Sequence, residues 1–73
     1  MDKLKMKSNN IWDFRDKTRK ALIELKNGTK IVGVIEWVED GSEIDSEYDY
    51  MTVRLSNGLL KIYFQNEIET IEE

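Results

Sequence analysis

The sequence predicts a mainly β fold: a small five-stranded barrel, closed on itself and preceded by an N-terminal α-helix. Three observations carry this expectation. Asn27-Gly28 and Ser56-Asn57-Gly58 each separate two segments of alternating apolar residues, the pattern of a β-hairpin. The run Thr29 to Glu39 is apolar on both faces, with Ile31, Ile35 and Trp37 on one and Val32, Val34 and Val38 on the other, which a flat, solvent-backed strand cannot bury. Gly33 stands in the middle of that run, where a missing side chain eases a sharp bend and close packing, so that one strand serves two walls.

In chain order, residues 1–7 alternate lysine with apolar residues, carry no stop signal, and are expected to be flexible. Residues 9–20 are expected to be the helix. Ser8, Asn9 or Asn10 can accept from its first free amides, Asp13 lies in the favourable first turns, and Arg19 and Lys20 close it. Ile11, Phe14 and Thr18 share a face of that helix, although no clean 3.6-residue stripe runs along it. Asp13, Asp16, Lys17 and Arg19 are spaced as ordinary helix-surface ion pairs.

The barrel is expected to fill 21–72. Ala21, Ile23 and Leu25 alternate with Leu22, Glu24 and Lys26 as a half-buried strand. Asn27-Gly28 supplies the two positive torsions of a tight hairpin turn, and Thr29 to Glu39 is the bent second strand. "EDGSEIDSE" is a polar acidic loop. Tyr48 to Leu55 is the third strand and Leu59 to Phe64 the fourth. "QNEIETIEE" holds one helical turn and a short last strand carrying Ile68 and Ile71. This order describes a small barrel of the SH3-like kind, in which closure removes most free edges.

Composition narrows the function. A chain of 73 residues makes a single domain, 1–73, that buries only about 60% of its unfolded surface. It has no cysteine and no histidine, so thiolate chemistry, disulfides and the commonest general base and zinc ligand are missing; no enzyme and no cofactor are expected. No apolar run is long enough for a membrane span or a signal peptide, so the expectation is a cytoplasmic protein without a membrane partner. Residues 1–30 carry nine Lys or Arg against four acids, and 31–73 carry two against eleven. The basic segment either offsets the acidic body or touches an anionic partner.

"IELKNGTKIVGVIEWVE" resembles the first motif of the Sm and Sm-like proteins: Ile23 and Leu25, then Gly28, Gly33, Ile35 and an acid at Glu39. The resemblance covers about residues 11 to 71 and implies a helix followed by a bent five-stranded barrel. It also implies rings joined through the fourth and fifth barrel strands, and uridine-rich RNA at the inner rim. "GTKIVGVIE" and "NEIETI" are similar to YolD-like proteins as well, a bacterial group associated with mobile elements. The positions that hold the base in the Sm motifs carry Glu43, Phe64 and Gln65 here, which disfavours RNA.

Glu39, Asp40, Glu43, Asp45 and Glu47 form an acidic loop. Its readings are a solvated loop, a negative surface that docks on a basic protein or imitates nucleic acid, or, with Glu36 and Asp49 added, a Ca²⁺ or Mg²⁺ chelator lacking the calcium-loop pattern. Phe64 and Trp37 are expected in the core, and Trp12 is expected to anchor the helix onto the barrel. Tyr48, Tyr50, Arg54 and Tyr63 are the candidate partner-binding residues on an outer face, because aromatics and arginine dominate interface hot spots. The function expected is that of a small accessory protein, bacterial or from a phage or mobile element, acting through protein contact or self-association. An Sm-like RNA binder and a binder of a small molecule such as a nucleotide at a subunit interface are the alternatives.

Overall fold

The two Asn-Gly turns close their hairpins in the same way. Between β2 (Lys20–Leu25) and β3 (Lys30–Glu39), Gly28 N–H donates to Leu25 O at 2.9 Å and Leu25 N–H donates to Thr29 O at 2.8 Å. Between β4 (Tyr50–Leu55) and β5 (Leu60–Phe64), Gly58 N–H donates to Leu55 O at 2.9 Å and Leu55 N–H to Leu59 O at 2.8 Å. In each turn the asparagine side chain accepts from the amide two residues on. The expectation of two positive torsions is corrected: only the glycines, with φ of 93° and 88°, take the left-handed region. The turn is therefore a three-residue loop ending in a glycine bulge, for which an Asn-Gly pair serves as well.

The protein is described by a computed structural model over residues 6–15 and 20–73. With β1 (Lys7–Ser8) and β6 (Ile68–Glu72), these strands form one antiparallel sheet in the order β1-β6-β2-β3-β4-β5. The five strands expected within 21–72 all form, and β1 is an addition at the edge of β6. Of the stretch 1–7 expected to be flexible, residues 1–5 lie outside the described residues. Met6 packs against the core, and Lys7 is paired with Glu72.

The N-terminal helix expected over 9–20 is not seen among the described residues. Ile11–Phe14 is a single 3-10 turn, Arg15 is already extended at φ −60° and ψ 139°, Lys20 begins β2, and residues 16–19, with the ion pairs expected there, lie outside the described residues. The segment offers the core only Ile11 and Phe14, three residues apart, and three residues per turn places both on one side. Asn10 Oδ1 accepts from Trp12 N–H at 3.0 Å and caps the turn. Gln65 then latches the segment from the far side of the chain: its Oε1 accepts from Ile11 N–H at 2.8 Å and its Nε2 donates to Asn9 O.

β3 organises the sheet. Its residues from Lys30 to Val34 pair with β2, and those from Gly33 to Glu39 pair with β4, overlapping only at Gly33 and Val34. A Cβ on Gly33 would lie 2.6 Å from Val53 Cγ1 and 2.8 Å from the Arg54 carbonyl oxygen, so the glycine permits a backbone approach that no other residue allows. Beyond it, the register with β4 shifts between Ile35 and Trp37, leaving Glu36 as a bulge. Inward residues from β2 to β6, including Ile23, Ile35, Val53, Tyr63 and Ile71, join Ile11 and Phe14 in one cluster.

Gly33→Ala should destabilise the fold by about 1–3 kcal/mol, because the methyl meets backbone that cannot swing aside. Val32→Ala, one residue earlier and 50% exposed, should change stability by less than about 0.5 kcal/mol. Urea denaturation of the two variants checks the contrast, and equal effects would contradict the close approach.

Candidate interaction surface

Residues directly opposite in an antiparallel ladder point to the same side of the sheet. The inner side carries Ile35 and Val53, then Val38, Met51 and Tyr63, all buried. The outer side carries Lys20, Val34, Arg54 and Leu60 in one row, Trp37, Thr52 and Ile62 in the next, and Glu39, Tyr50 and Phe64 in the third. Leu22 and Val32 continue it across β2 and β3. Trp37 is 47% exposed, Leu60 48% and Ile62 45%, while Thr52 beneath them is buried. This is a contiguous apolar face on the outside of the sheet.

One charge pair sits within it. Arg54 Nε donates to Glu36 Oε2 at 2.7 Å, and Glu36 is the bulged residue. The bulge therefore does two things: it rotates Trp37 outward and brings a carboxylate beside Arg54. With Arg54 half exposed, the pair contributes at most about 1 kcal/mol to stability, but it leaves the face locally neutral.

The candidate residues divide. Arg54 is exposed on the outer face and Tyr48 is exposed just ahead of β4. Tyr50 shares the outer side with Arg54 but is only 7% exposed, its ring 5.9 Å from that of Phe64. Burial raises its hydroxyl pKa first, followed by the charges of Glu39 and Glu43. Tyr63 is corrected to the inner side, 6% exposed in the core cluster, its pKa raised by burial and then by Glu67. It keeps the Lys61 ammonium 5.8 Å from its ring. Trp37, expected in the core, is corrected to the outer face, and Phe64 is half-buried beside Tyr50.

The acidic loop is folded tightly. Asp40 accepts from Ser42 N–H at 2.9 Å and starts a 3-10 turn over Gly41–Ile44, and Asp45 ends it in the left-handed region at φ 59°. Glu39 is half-buried, whereas Asp40, Glu43, Asp45 and Glu47 are exposed. Among the described residues no group of three or more acidic side chains is placed to hold a metal ion.

Asp49, expected only as one of the candidate chelating carboxylates, is where three segments meet. Its Oδ2 accepts from the Trp12 indole N–H at 2.7 Å, its Oδ1 from Gly41 N–H at 3.0 Å, and its carbonyl oxygen from Gln65 N–H at 2.9 Å. Trp12 thus anchors the N-terminal 3-10 turn to the loop and to the end of β5. Next to this junction an open cleft of about 560 Å³ is bordered by Trp12, Tyr48, Lys26, Asn9 and Asn66.

No family model, curated protein or solved structure matches the chain. Its surfaces therefore stand on their own geometry. Sequence reading missed Trp37 because strict alternation from Ile31 through Ile35 carries it inward. The available signal was the spacing of Ile35 and Val38, three apart, which requires an extra residue between two inward positions. The junction role of Asp49 was missed because one aspartate among many acids has no sequence mark until Gly41 and Trp12 are seen to converge on it.

The Gly41 amide first, and the Trp12 indole second, hold the Asp49 carboxyl below the usual aspartate range. With the folded value below the unfolded one of about 3.9, the carboxylate stabilises the fold at neutral pH, and that contribution is lost as pH falls through the folded value. Asp49→Asn should be less stable than the unaltered chain at pH 7, and the deficit should shrink below about pH 4. Denaturation curves at both pH values read it. A deficit independent of pH would assign the effect to geometry and not to charge.

Proposed function

We propose that the chain is a non-enzymatic binding module of the SH3-like or Sm-like barrel kind that acts by protein–protein contact through its outer sheet face. The barrel reading is supported by the order β6-β2-β3-β4-β5, by the sharing of β3 between two partners, and by a core fed from every one of those strands. The 3-10 turn Gln65–Glu67 between β5 and β6 suits the same path.

The observation that carries the function is the exposed row of Trp37 and Ile62 over buried Thr52, flanked by Leu60 and the neutralised Arg54. Large apolar side chains gathered on one face, with tryptophan and arginine at the centre, mark a contact surface. Its partner is a protein, another copy of the chain included. RNA has less support: Asp40, Glu43, Asp45 and Glu47 expose carboxylates on one loop, and phosphate affinity rests on cations. The ring contacts implied by the Sm resemblance have less support too, since β1 occupies the outer edge of β6 at Ile71 and Glu72.

Trp37→Ala should weaken association tenfold or more, about 1.4 kcal/mol, while leaving the denaturation midpoint nearly unchanged, because the side chain is half in solvent. Native mass spectrometry of the tagged chain from its own cells, with and without the substitution, measures both partner mass and occupancy. Unchanged occupancy would overturn the assignment of this face, and RNA as the co-purifying species would overturn the protein reading.

A further inference from the structure

We infer that β5 is a pairing edge for a second copy of the chain, joined antiparallel across a two-fold axis with Ile62 opposite Ile62 of the second copy. This rests on the reading of the outer face as a protein-contact surface and names its partner. The two ends of the sheet are treated differently. At one end β1 covers the last residues of β6, and Glu73 N–H donates to Met6 O at 3.0 Å. At the other, β5 has β4 on one side and no strand on the other among the described residues.

The direction of the peptide groups along β5 follows from its two ends. Leu59 O accepts from Leu55 N–H, and Gln65 N–H donates to Asp49 O, so the odd-numbered residues from 59 to 65 turn their groups toward β4. Leu60, Ile62 and Phe64 turn theirs outward. Phe64 N–H confirms the parity, because it is taken by Glu67 Oε1 at 2.9 Å rather than by β4. The N–H and C=O of Leu60 and Ile62 therefore face outward with no strand to receive them among the described residues, and the C=O of Phe64, the cap of the 3-10 turn Gln65–Glu67, faces the same way. Proteins usually guard such an edge with proline, a bulge or several charges. β5 contains no proline and no bulge, and its single charge is Lys61.

Register selects the axis. With Ile62 opposite Ile62, each copy exchanges bonds there, and Leu60 N–H meets the second lone pair of the Phe64 C=O on both sides of the axis. The Phe64 N–H, which would serve the Leu60 C=O opposite it, is already held by Glu67, so that carbonyl stays open to solvent. Lys61 then lies opposite Tyr63 of the second copy, so no like charges face each other across the axis. A shift that centres Lys61 sets two ammonium groups opposite each other, which is unfavourable. A shift that centres Tyr63 sets Ile62 against Phe64, whose N–H is occupied. Of the three registers, the one centred on Ile62 keeps four main-chain bonds without opposing like charges, whereas the one centred on Tyr63 keeps two. It also prolongs the Trp37, Thr52 and Ile62 row across the axis, so the apolar faces of the two copies become one surface.

The test is sedimentation equilibrium of the full chain from about 10 μM to about 1 mM, a range that captures the weak end of strand-edge association. Ile62→Pro and Ile62→Val are run beside it, with amide hydrogen exchange on the unaltered chain. Proline at Ile62 removes an N–H that points away from β4, a position a sheet edge tolerates. The expected results are a monomer–dimer equilibrium, at least tenfold weaker dimerisation for Ile62→Pro, little change for Ile62→Val, and slower exchange at Leu60 and Ile62 as concentration rises. If Ile62→Pro does not fold, the exchange data decide alone. A monomer throughout, or a dimer in which the Leu60 and Ile62 amides stay open, overturns the edge pairing. A dimer abolished by Trp37→Ala but not by Ile62→Pro overturns it as well, yet keeps the contact face. Retained loss of partner binding by Trp37→Ala in a strictly monomeric chain does the same.

Discussion

The contact between Gly33 and the β4 backbone is the constraint on which this architecture turns. One strand has to pair with β2 over its first half and β4 over its second, and the handover occurs where Gly33 faces Ala21 on one side and Leu55 on the other. At that point the space a side chain would need is filled by the Arg54 carbonyl and the Val53 methyl. A chain this small has little surplus burial with which to absorb an overpacked crossing. The core cluster draws on both halves of β3, Ile31 packing from one and Ile35 and Val38 belonging to the other, so loss of the crossing separates its two sides.

A second local irregularity converts that fold into a surface. The bulge at Glu36 resets the alternation so that Val38 returns to the interior and Trp37 goes out. The displaced carboxylate meets Arg54, the charged residue that β4 contributes to the outer row. As an exposed ion pair it adds little stability; its effect is to remove net charge from the middle of an apolar face, which lowers the cost of covering that face with another protein. The Asp49 junction is a separate device. It fastens the N-terminal 3-10 turn, the acidic loop and the end of β5 together, none of which contributes a long run of ladder bonds of its own.

Much of the fold was legible in the sequence because it is written in short-range patterns. Alternation in Ala21 to Leu25 and in Met51 to Leu55, the two Leu-x-Asn-Gly turns, and Gly33 within an apolar run all act within a few residues of themselves. The helix was misread because capping residues precede Ile11 and a basic pair follows at Arg19 and Lys20 without an apolar stripe between them, and tertiary latching by Gln65 suits a single turn as well as a helix. The outer face was half legible. Arg54 was placed on it, but Trp37 and Tyr63 exchanged sides, since a bulge inverts every assignment beyond it and aromatic character alone does not say which side of a strand a ring occupies.

The central claim is that the bend at Gly33 and the bulge at Glu36 together present Trp37 on the outside of the sheet. Proton–proton contacts measured by NMR on the dilute chain test it most directly. The register shift requires the Trp37 ring to lie near the Thr52 methyl, with no contact to Met51, Val53 or Ile71. Contacts from the Trp37 ring to those core methyls would mean that the register does not shift, and the outer face described here would not exist.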